Sequence, residues 1–215
     1  MLEVSNLACT RGDRRLFRGV SFTLKAGALL HVAGANGSGK TSLLRILCGL
    51  GSPEAGEVRW RGESIRTLRE AYAREMVYMG HANALKDDLS ALENLQVACM
   101  LAGSPATNVA ARHALAAFGL MSCEHLPARS LSQGQKRRAA LARLALATRA
   151  PLWILDEPFS ALDVEAVRHL EQLILAYIDG GGCAIFTTHQ DAAMASRVTQ
   201  RVDLNDLADA AETKC

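Results

Sequence analysis

The residues of this chain best suited to phosphate chemistry form one glycine-rich run. The run reads GANGSGKT and comprises Gly34, Ala35, Asn36, Gly37, Ser38, Gly39, Lys40 and Thr41. It matches the pattern G-x-x-x-x-G-K-[ST] at every fixed position. Glycines let backbone N–H groups approach phosphate oxygens, Lys40 offers a charge to the β- and γ-phosphates, and Thr41 offers a hydroxyl to Mg²⁺. The run therefore predicts a site for a nucleotide and its magnesium ion.

Further polar residues follow two apolar runs. Asp156 and Glu157 come directly after the run LWIL at 152–155, and His189 ends the stretch AIFTTH at 184–189. Short apolar runs of this kind are typical of buried parallel strands. Parallel sheets hold their ligands beyond the carboxyl ends of the strands. We therefore expect these three side chains near the phosphate loop.

A second candidate phosphate contact lies in the stretch LSQGQ at 131–135. Ser132 and Gln135 form a capping-box pattern that predicts a helix start, where backbone N–H groups can hold an anion. The basic run KRR at 136–138 follows directly. We interpret it as a solvated helix face and not as a nucleic-acid contact, because no aromatic residues are interleaved with it.

Strands and helices must alternate to position these residues. Apolar runs at 28–33, 152–155 and 184–188 predict buried parallel strands, and alternating patterns at 2–7 and 20–24 predict antiparallel ones. Helical patterns follow the phosphate loop, fill the region of about 85–130, and begin again at Asp163. The pattern predicts an α/β fold in a single domain, 1–215, with a helical subdomain at about 85–130. We expect the polar, alanine-rich tail after about Asp203 to fray.

The composition excludes several classes of protein. The chain has 215 residues, of which 49% are hydrophobic and 21% charged, and its net charge is +2. It therefore presents no strong overall field to nucleic acid or anionic lipid. No apolar run approaches the roughly 18–20 residues that span a bilayer, and the first residues do not form a signal peptide. We expect the chain to stay in the cytoplasm.

The order of these motifs carries a family resemblance. GANGSGKT, LSQGQ, WILDEP, SALD and TTH follow one another as in the ATP-binding cassette ATPases, and the resemblance covers nearly the whole chain. It implies a P-loop NTPase fold with a parallel core sheet, an antiparallel β subdomain and a helical subdomain. It also implies ATP hydrolysis with Mg²⁺. Gln133 stands where the family signature LSGGQ has a glycine.

The resemblance assigns roles to single residues. It implies that Asp156, together with Thr41, holds Mg²⁺, and that Glu157 polarises the attacking water. His189 would contact the γ-phosphate as a sensor. Ser132, Gly134 and Gln135 would contact ATP held by a second copy of the chain, in a head-to-tail dimer.

Two positions depart from the family pattern. His81 stands where a glutamine normally touches Mg²⁺ and the attacking water, so it either positions that water or belongs to a coupling loop. Arg11 stands where an aromatic residue normally stacks on adenine. Its guanidinium plane either stacks on the base or belongs to a solvated loop.

The segment GHANALKDDLSALENL at 80–95 resembles a narrower group. It is similar to the ATP-binding subunits of the bacterial cytochrome c maturation system. That resemblance implies a peripheral subunit on the cytoplasmic face of the inner membrane, working with integral membrane subunits of a haem-handling complex. ATP hydrolysis would serve haem export or release of a haem-loaded periplasmic chaperone. An ATPase subunit for another cargo and a soluble non-transport cassette protein remain alternatives.

Overall fold

Two sheets form the framework of the protein. The computed structural model describes residues 1–189, 194 and 196–209, without the side chains of 208 and 209. The strands in this part of the chain are β1 (Leu2–Arg11), β2 (Arg14–Leu24), β3 (Leu29–Ala33), β4 (Ala55–Trp60), β5 (Glu63–Ser64), β6 (Met76–Met79), β7 (Leu152–Leu155), β8 (Cys183–Thr187) and β9 (Gln200–Asp203).

The N-terminal strands form an antiparallel sheet in the order β2-β1-β4-β5. β1 pairs antiparallel with both β2 and β4. Leu2 and Val4 point into the core while Ser5 is exposed, as the period-2 pattern predicts. A register irregularity between Val4 and Leu7 then returns Leu7 to the buried face.

The other sheet is entirely parallel, in the order β6-β7-β8-β3-β9. Every position of β3, β7 and β8 is buried. Successive side chains point to opposite faces, so Trp153 and Phe186 pack in one hydrophobic cluster and Ile154 and Ile185 in the other. The sheet therefore separates two cores, which explains why these strands are apolar throughout.

Helices cover both faces of this sheet. They are α1 (Lys40–Leu47), α2 (Ile65–Leu68), α3 (Glu70–Arg74), α4 (Ala91–Leu101), α5 (Asn108–Ala117), α6 (Gln133–Leu141), α7 (Val164–Asp179) and α8 (Leu204–Asp209), with 3-10 turns at Ala128–Ser130 and Ala142–Leu146. α1 packs in the cluster shared with the antiparallel sheet, whereas α4, α5, α6 and α7 pack in the other. In the described residues, no helix has both the length and the apolar character needed to cross a bilayer.

The helix starts follow the local sequence signals. Ser90 and Glu93 form a full capping box at the start of α4. The Oδ1 atom of Asp163 accepts the Ala166 N–H at 2.8 Å and so begins α7. α7 ends at Asp179, with Gly180 as its C-cap.

The prediction of a fraying tail is wrong for residues 204–209. These residues form α8, which packs beside β2 and β3, and Leu204 is fully buried. β9, which was also not predicted, joins the edge of the parallel sheet just before it. Leu204 and the partly buried Leu207 hold this helix on the core, and a helix of six residues is too short to show a helical period in its sequence. Residues 210–215 lie outside the described part of the chain.

Candidate active site

Two glycines give the loop between β3 and α1 its shape. Gly34 has φ +144°, and a Cβ there would lie 2.5 Å from Oγ of Ser38. Gly39 has φ +103°, and a Cβ there would lie 3.0 Å from both Leu16 Cβ and Phe17 Cδ1. Other residues would be strained at these angles and would collide with these neighbours. The loop can therefore close tightly around a ligand only with glycine at both positions.

The start of α1 is open to an anion. Gly39 occupies the N-cap position, no side chain of the described residues caps the helix, and its first turn contains no acidic residue. Its first N–H groups and positive dipole end therefore remain available. Lys40 is largely buried, and its Nζ donates to the backbone oxygens of Gly34 at 2.7 Å and Ala35 at 3.2 Å. The ammonium group is thus already held over the loop.

Thr41 and Asp156 meet on the floor of the same site. The Thr41 hydroxyl donates to Oδ2 of Asp156 at 2.8 Å, and the Thr187 hydroxyl donates to Oδ1 at 2.9 Å. Asp156 is only 2% exposed, so its carboxylate is held in one orientation. A hydroxyl and a carboxylate are oxygen donors of the kind that Mg²⁺ prefers, and Mg²⁺ normally needs few protein ligands. The residues present therefore fit a magnesium ion held beside a phosphate.

Glu157 lies beside Asp156 in an uncommon backbone conformation, with φ +48°. Its N–H donates to Thr187 Oγ1 at 2.8 Å, and its Oε2 accepts the His189 N–H at 3.2 Å. The other carboxylate oxygen, Oε1, lies 3.3 Å from Nε2 of His189. No described residue donates a hydrogen bond to Oε1. This oxygen is therefore an acceptor that the described residues leave without a hydrogen-bond donor.

These groups surround one cleft of about 380 Å³. A cleft of this size suits a small-molecule ligand. Its walls are formed by Arg11, Leu16, Ala35, Asn36, Gly37, Gly39, Lys40, Thr41, Ser42, His81, Asp156, Glu157, Ser160 and His189. The loop, the carboxylates and His189 thus come together as expected, although they belong to separate parts of the sequence.

Five of the predicted contact residues do not line the cleft. Gly34 and Ser38 belong to the loop itself, where Ser38 is buried and a Cβ at Gly34 would collide with it. Ser132, Gly134 and Gln135 lie at the start of α6. Ser132 Oγ accepts the Gln135 N–H at 3.2 Å, which leaves the hydroxyl proton free to donate elsewhere. This is compatible with their expected use by a second copy.

Both residues that depart from the family pattern line the cleft. Arg11, at the end of β1, and His81, in the loop after β6, are exposed side chains at its edge. Their positions agree with either of the roles considered for each. Adenine stacking by Arg11 and water positioning by His81 therefore stay predictions.

Sequence reasoning missed three supporting residues. Thr187 joins Asp156 to Glu157, and the Oδ1 atom of Asn205 accepts the Ala35 N–H at 3.0 Å. The third is Arg137, which was interpreted as part of a solvated basic face. That interpretation is wrong for Arg137, which is 2% exposed. It lies on the inner face of α6 and reaches the end of β7.

Burial changes the titration of groups around the site. Burial, and secondly the charge of Asp156, raises the pKa of Tyr78 to about 12 and also raises the pKa of Cys48. Burial lowers the pKa of Arg137, and the neighbouring carboxylates of Asp156 and Glu157 oppose that change. Tyr78 and Cys48 therefore stay neutral near neutral pH, and the negative charge of the site comes from its carboxylates.

Comparison with known proteins agrees with this geometry. A family model described as ABC transporter matches residues 17–160. A protein of Aromatoleum aromaticum named "Cytochrome c biogenesis ATP-binding export protein CcmA" is 52% identical over 208 residues, which are 97% of each chain. A protein of the same name from Nitrosomonas europaea is 52% identical over 196 residues, 91% of this chain and 92% of that one. The predicted similarity to cytochrome c maturation subunits is confirmed.

A solved structure gives the same answer for the fold. The structure described as "Structure of ATP binding subunit of ABC transporter" superposes with a TM-score of 0.83 at 25% identity, and covers 94% of this chain and 85% of that one. The predicted P-loop cassette fold, with its parallel sheet, antiparallel sheet and helices, is confirmed. The chain therefore belongs to the ABC transporter family, and it is an ATPase of that family.

Proposed function

We propose that the cleft binds ATP with Mg²⁺ and that Glu157 polarises the water that attacks the γ-phosphate. The loop N–H groups and Lys40 would hold the β- and γ-phosphates, and Thr41 and Asp156 would hold the metal ion. When bound, Mg²⁺ neutralises phosphate charge. The observation that carries the proposal is the place of Glu157 in the wall of the cleft beside Asp156, with a carboxylate oxygen, Oε1, that accepts no hydrogen bond from the described residues.

The neighbours of Asp156 and Glu157 support different roles for the two carboxylates. Asp156 accepts hydrogen bonds from Thr41 and Thr187, so it is fixed and suited to a static charge. Glu157 keeps one free acceptor oxygen, which suits proton transfer from water. His189 lies next to this carboxylate, with its Nε2 atom 3.3 Å from Oε1, and its ring would donate to the γ-phosphate.

The test is the turnover of Glu157→Gln. An amide of the same shape keeps the fold but cannot take a proton, so turnover should fall by about 10²- to 10⁴-fold. ATP affinity should stay near that of the wild type. Hydrolysis close to the wild-type rate by the folded variant would overturn the role of Glu157.

We further propose that the working unit contains two copies of the chain. In this arrangement Ser132, Gly134 and Gln135 of one copy would contact the ATP held in the cleft of the other. The support is that these residues lie at the start of α6, outside their own cleft, and that helix starts are suited to binding anions. The free hydroxyl proton of Ser132 provides a donor for phosphate.

We also propose a role in cytochrome c biogenesis for this ATPase. Its similarity to the ATP-binding export proteins of that process extends over nearly the whole chain. The chain would lie on the cytoplasmic face of the inner membrane as a peripheral subunit. Its partners would be integral membrane subunits of a haem-handling complex, and hydrolysis would serve haem export or release of the haem-loaded chaperone.

Deletion of the gene tests this process. A strain with no other maturation system should lose covalent haem from its periplasmic c-type cytochromes when the gene is deleted. The wild-type gene on a plasmid should restore haem staining, and Lys40→Ala should not. If the deletion strain still makes c-type cytochromes with covalent haem, the proposed role in cytochrome c biogenesis is refuted. The assignment as an ATPase would remain, and the result would favour a transporter subunit for another cargo.

A further inference from the structure

Arg137 connects three separate segments through one buried guanidinium group. Its Nη2 atom donates to the backbone oxygens of Asp156 at 3.1 Å and Glu157 at 2.6 Å. Its Nη1 atom donates to the backbone oxygen of Gly80 at 3.2 Å and to Oδ1 of Asn83 at 3.3 Å. The side chain therefore ties α6 both to the end of β7 and to the loop after β6.

The shape of this group matters as much as its charge. Among the described residues, its hydrogen bonds go to backbone and amide oxygens and not to a carboxylate. A buried charge without a paired charge is costly. The planar fork of arginine reaches oxygens on two sides at once, which the single ammonium of lysine cannot do in the same way. The position therefore calls for an arginine and not merely for a cation.

The contact with Glu157 fixes an uncommon backbone. Glu157 has φ +48°, a conformation that side-chain-bearing residues rarely adopt. Its N–H donates to Thr187, and its carbonyl oxygen accepts from Arg137 at 2.6 Å and from the hydroxyl and N–H of Ser160 at 3.0 Å and 3.2 Å. Ser160 belongs to the same turn as Glu157, whereas Arg137 ties that carbonyl to another helix. Since the direction of the carboxylate follows from this backbone, loss of the Arg137 contact would leave the turn free to shift as a unit and would change the direction of the carboxylate.

We propose that Arg137 is a positioning residue for ATP hydrolysis, which orients Glu157 and makes that orientation depend on the loop 80–83 and on α6. The proposal rests on the proposed role of Glu157. Arg137 does not line the cleft, so it acts through Glu157 and not on the nucleotide. The loop carries His81, and Ser132 is the N-cap residue of α6. Movement of either segment therefore reaches the carboxylate through one side chain.

The test begins with Arg137→Met in the full chain, assayed in the form in which the wild type hydrolyses ATP. Methionine is unbranched and has no donors. We expect kcat to fall about 10- to 100-fold, which is part of what a positioned base contributes, with KM for ATP within about threefold. Arg137→Lys, which keeps the charge but not the fork, should give an intermediate kcat.

A matched control is available on the following turn. Arg143 is a partly buried arginine that donates to the backbone oxygen of Tyr78 and not to the end of β7. Arg143→Met should lower the melting temperature but keep kcat within about threefold per folded molecule, because it leaves Glu157 in place. An equal loss of kcat in Arg143→Met and Arg137→Met would overturn the proposal.

A double-mutant cycle shows whether Arg137 acts through Glu157. In the Glu157→Gln background, Arg137→Met should cause no more than about a further twofold loss, because both changes remove one function. If the kcat loss of the double variant equals the product of the two single-variant losses, the proposed role of Arg137 is refuted while the role of Glu157 stands. An ATP affinity that falls as much as kcat would refute the role of Arg137 in the same way. Wild-type hydrolysis by Glu157→Gln would instead refute the role of Glu157, and the proposal with it.

Asn83→Ala keeps the test valid if Arg137→Met does not fold. It removes one hydrogen bond on the loop side and leaves the guanidinium in place. We expect a smaller fall in kcat with unchanged KM. Wild-type kcat in both Asn83→Ala and Arg137→Lys would overturn the proposal.

Discussion

Lys40 is the residue whose loss should affect nucleotide binding most directly. It is largely buried, and its ammonium group is held over the loop by two backbone oxygens. Charge-assisted hydrogen bonds contribute about 1.5–3 kcal/mol, so Lys40→Ala should weaken ATP binding by roughly 10- to 100-fold. Calorimetric titration of the folded variant measures this. Lys25→Ala, which removes an exposed lysine, is the control, and equal affinities in the two variants would contradict the assignment.

His81 allows the two roles considered for it to be separated. It is exposed at the edge of the cleft, and histidine is not a typical Mg²⁺ ligand. We therefore expect His81→Gln to keep hydrolysis within a few fold of the wild type. Steady-state turnover together with ATP affinity decides the question. A fall of about 100-fold, or roughly 2.7 kcal/mol in the barrier, with intact binding would show that His81 positions the water.

Site residues were predictable from the sequence where the members of a motif are close together along the chain. Gly34 to Thr41 form one continuous pattern, and Asp156 and Glu157 are adjacent. Thr187 was not predictable, because its bond to Asp156 spans 31 residues and exists only because β7 and β8 are neighbours. The bond between Ala35 and Asn205 spans 170 residues. Such contacts depend on strand order, which local patterns do not determine.

At the scale of elements, periodicity predicted most strands and helices but not their arrangement. Apolar runs predicted β3, β7 and β8, and a capping pattern predicted the start of α6. The order β6-β7-β8-β3-β9 does not follow the chain, because helices carry the chain from one edge of the sheet to the other. β9 and α8 were missed since their sequences are short and mainly polar.

The missed helix α8 should contribute measurably to stability. Leu204 is fully buried in the cluster shared with β2 and β3. Leu204→Ala should lower the free energy of unfolding by about 2–5 kcal/mol, because it leaves a cavity in a packed core. Urea denaturation followed by circular dichroism measures the change. Leu50→Ala, at a leucine that is 57% exposed, is the control, and equal losses would mean that α8 does not anchor the tail.

At the scale of the whole molecule, the residues proposed to bind phosphate are divided between two places. The loop and the carboxylates line the cleft, whereas Ser132 begins a helix outside it. Two molecules facing each other head to tail would bring the two sets together around one ATP. Association should therefore depend on nucleotide, which distinguishes it from ordinary oligomerisation through an apolar surface.

Light scattering can detect this dependence. With Mg²⁺ and ATP, Glu157→Gln should accumulate as a dimer, because it binds ATP but hydrolyses it slowly. The double variant Lys40→Ala/Glu157→Gln, which also lacks the phosphate contact, should remain monomeric. If Glu157→Gln stays monomeric even in complexes isolated with its membrane partners, the two-copy arrangement is wrong.

The cleft residues make hydrogen bonds with one another, and a ligand must replace these bonds in order to bind. Lys40 is bonded to its own loop, and Thr41 is bonded to Asp156. Loss of a buried hydrogen bond without replacement costs about 1–3 kcal/mol. A phosphate alone would replace only the bonds of Lys40, and a free cation only the bond between Thr41 and Asp156. A nucleotide that arrives with its metal ion would replace both sets of bonds in one binding event, so we expect nucleotide and Mg²⁺ together to bind more tightly than either component alone.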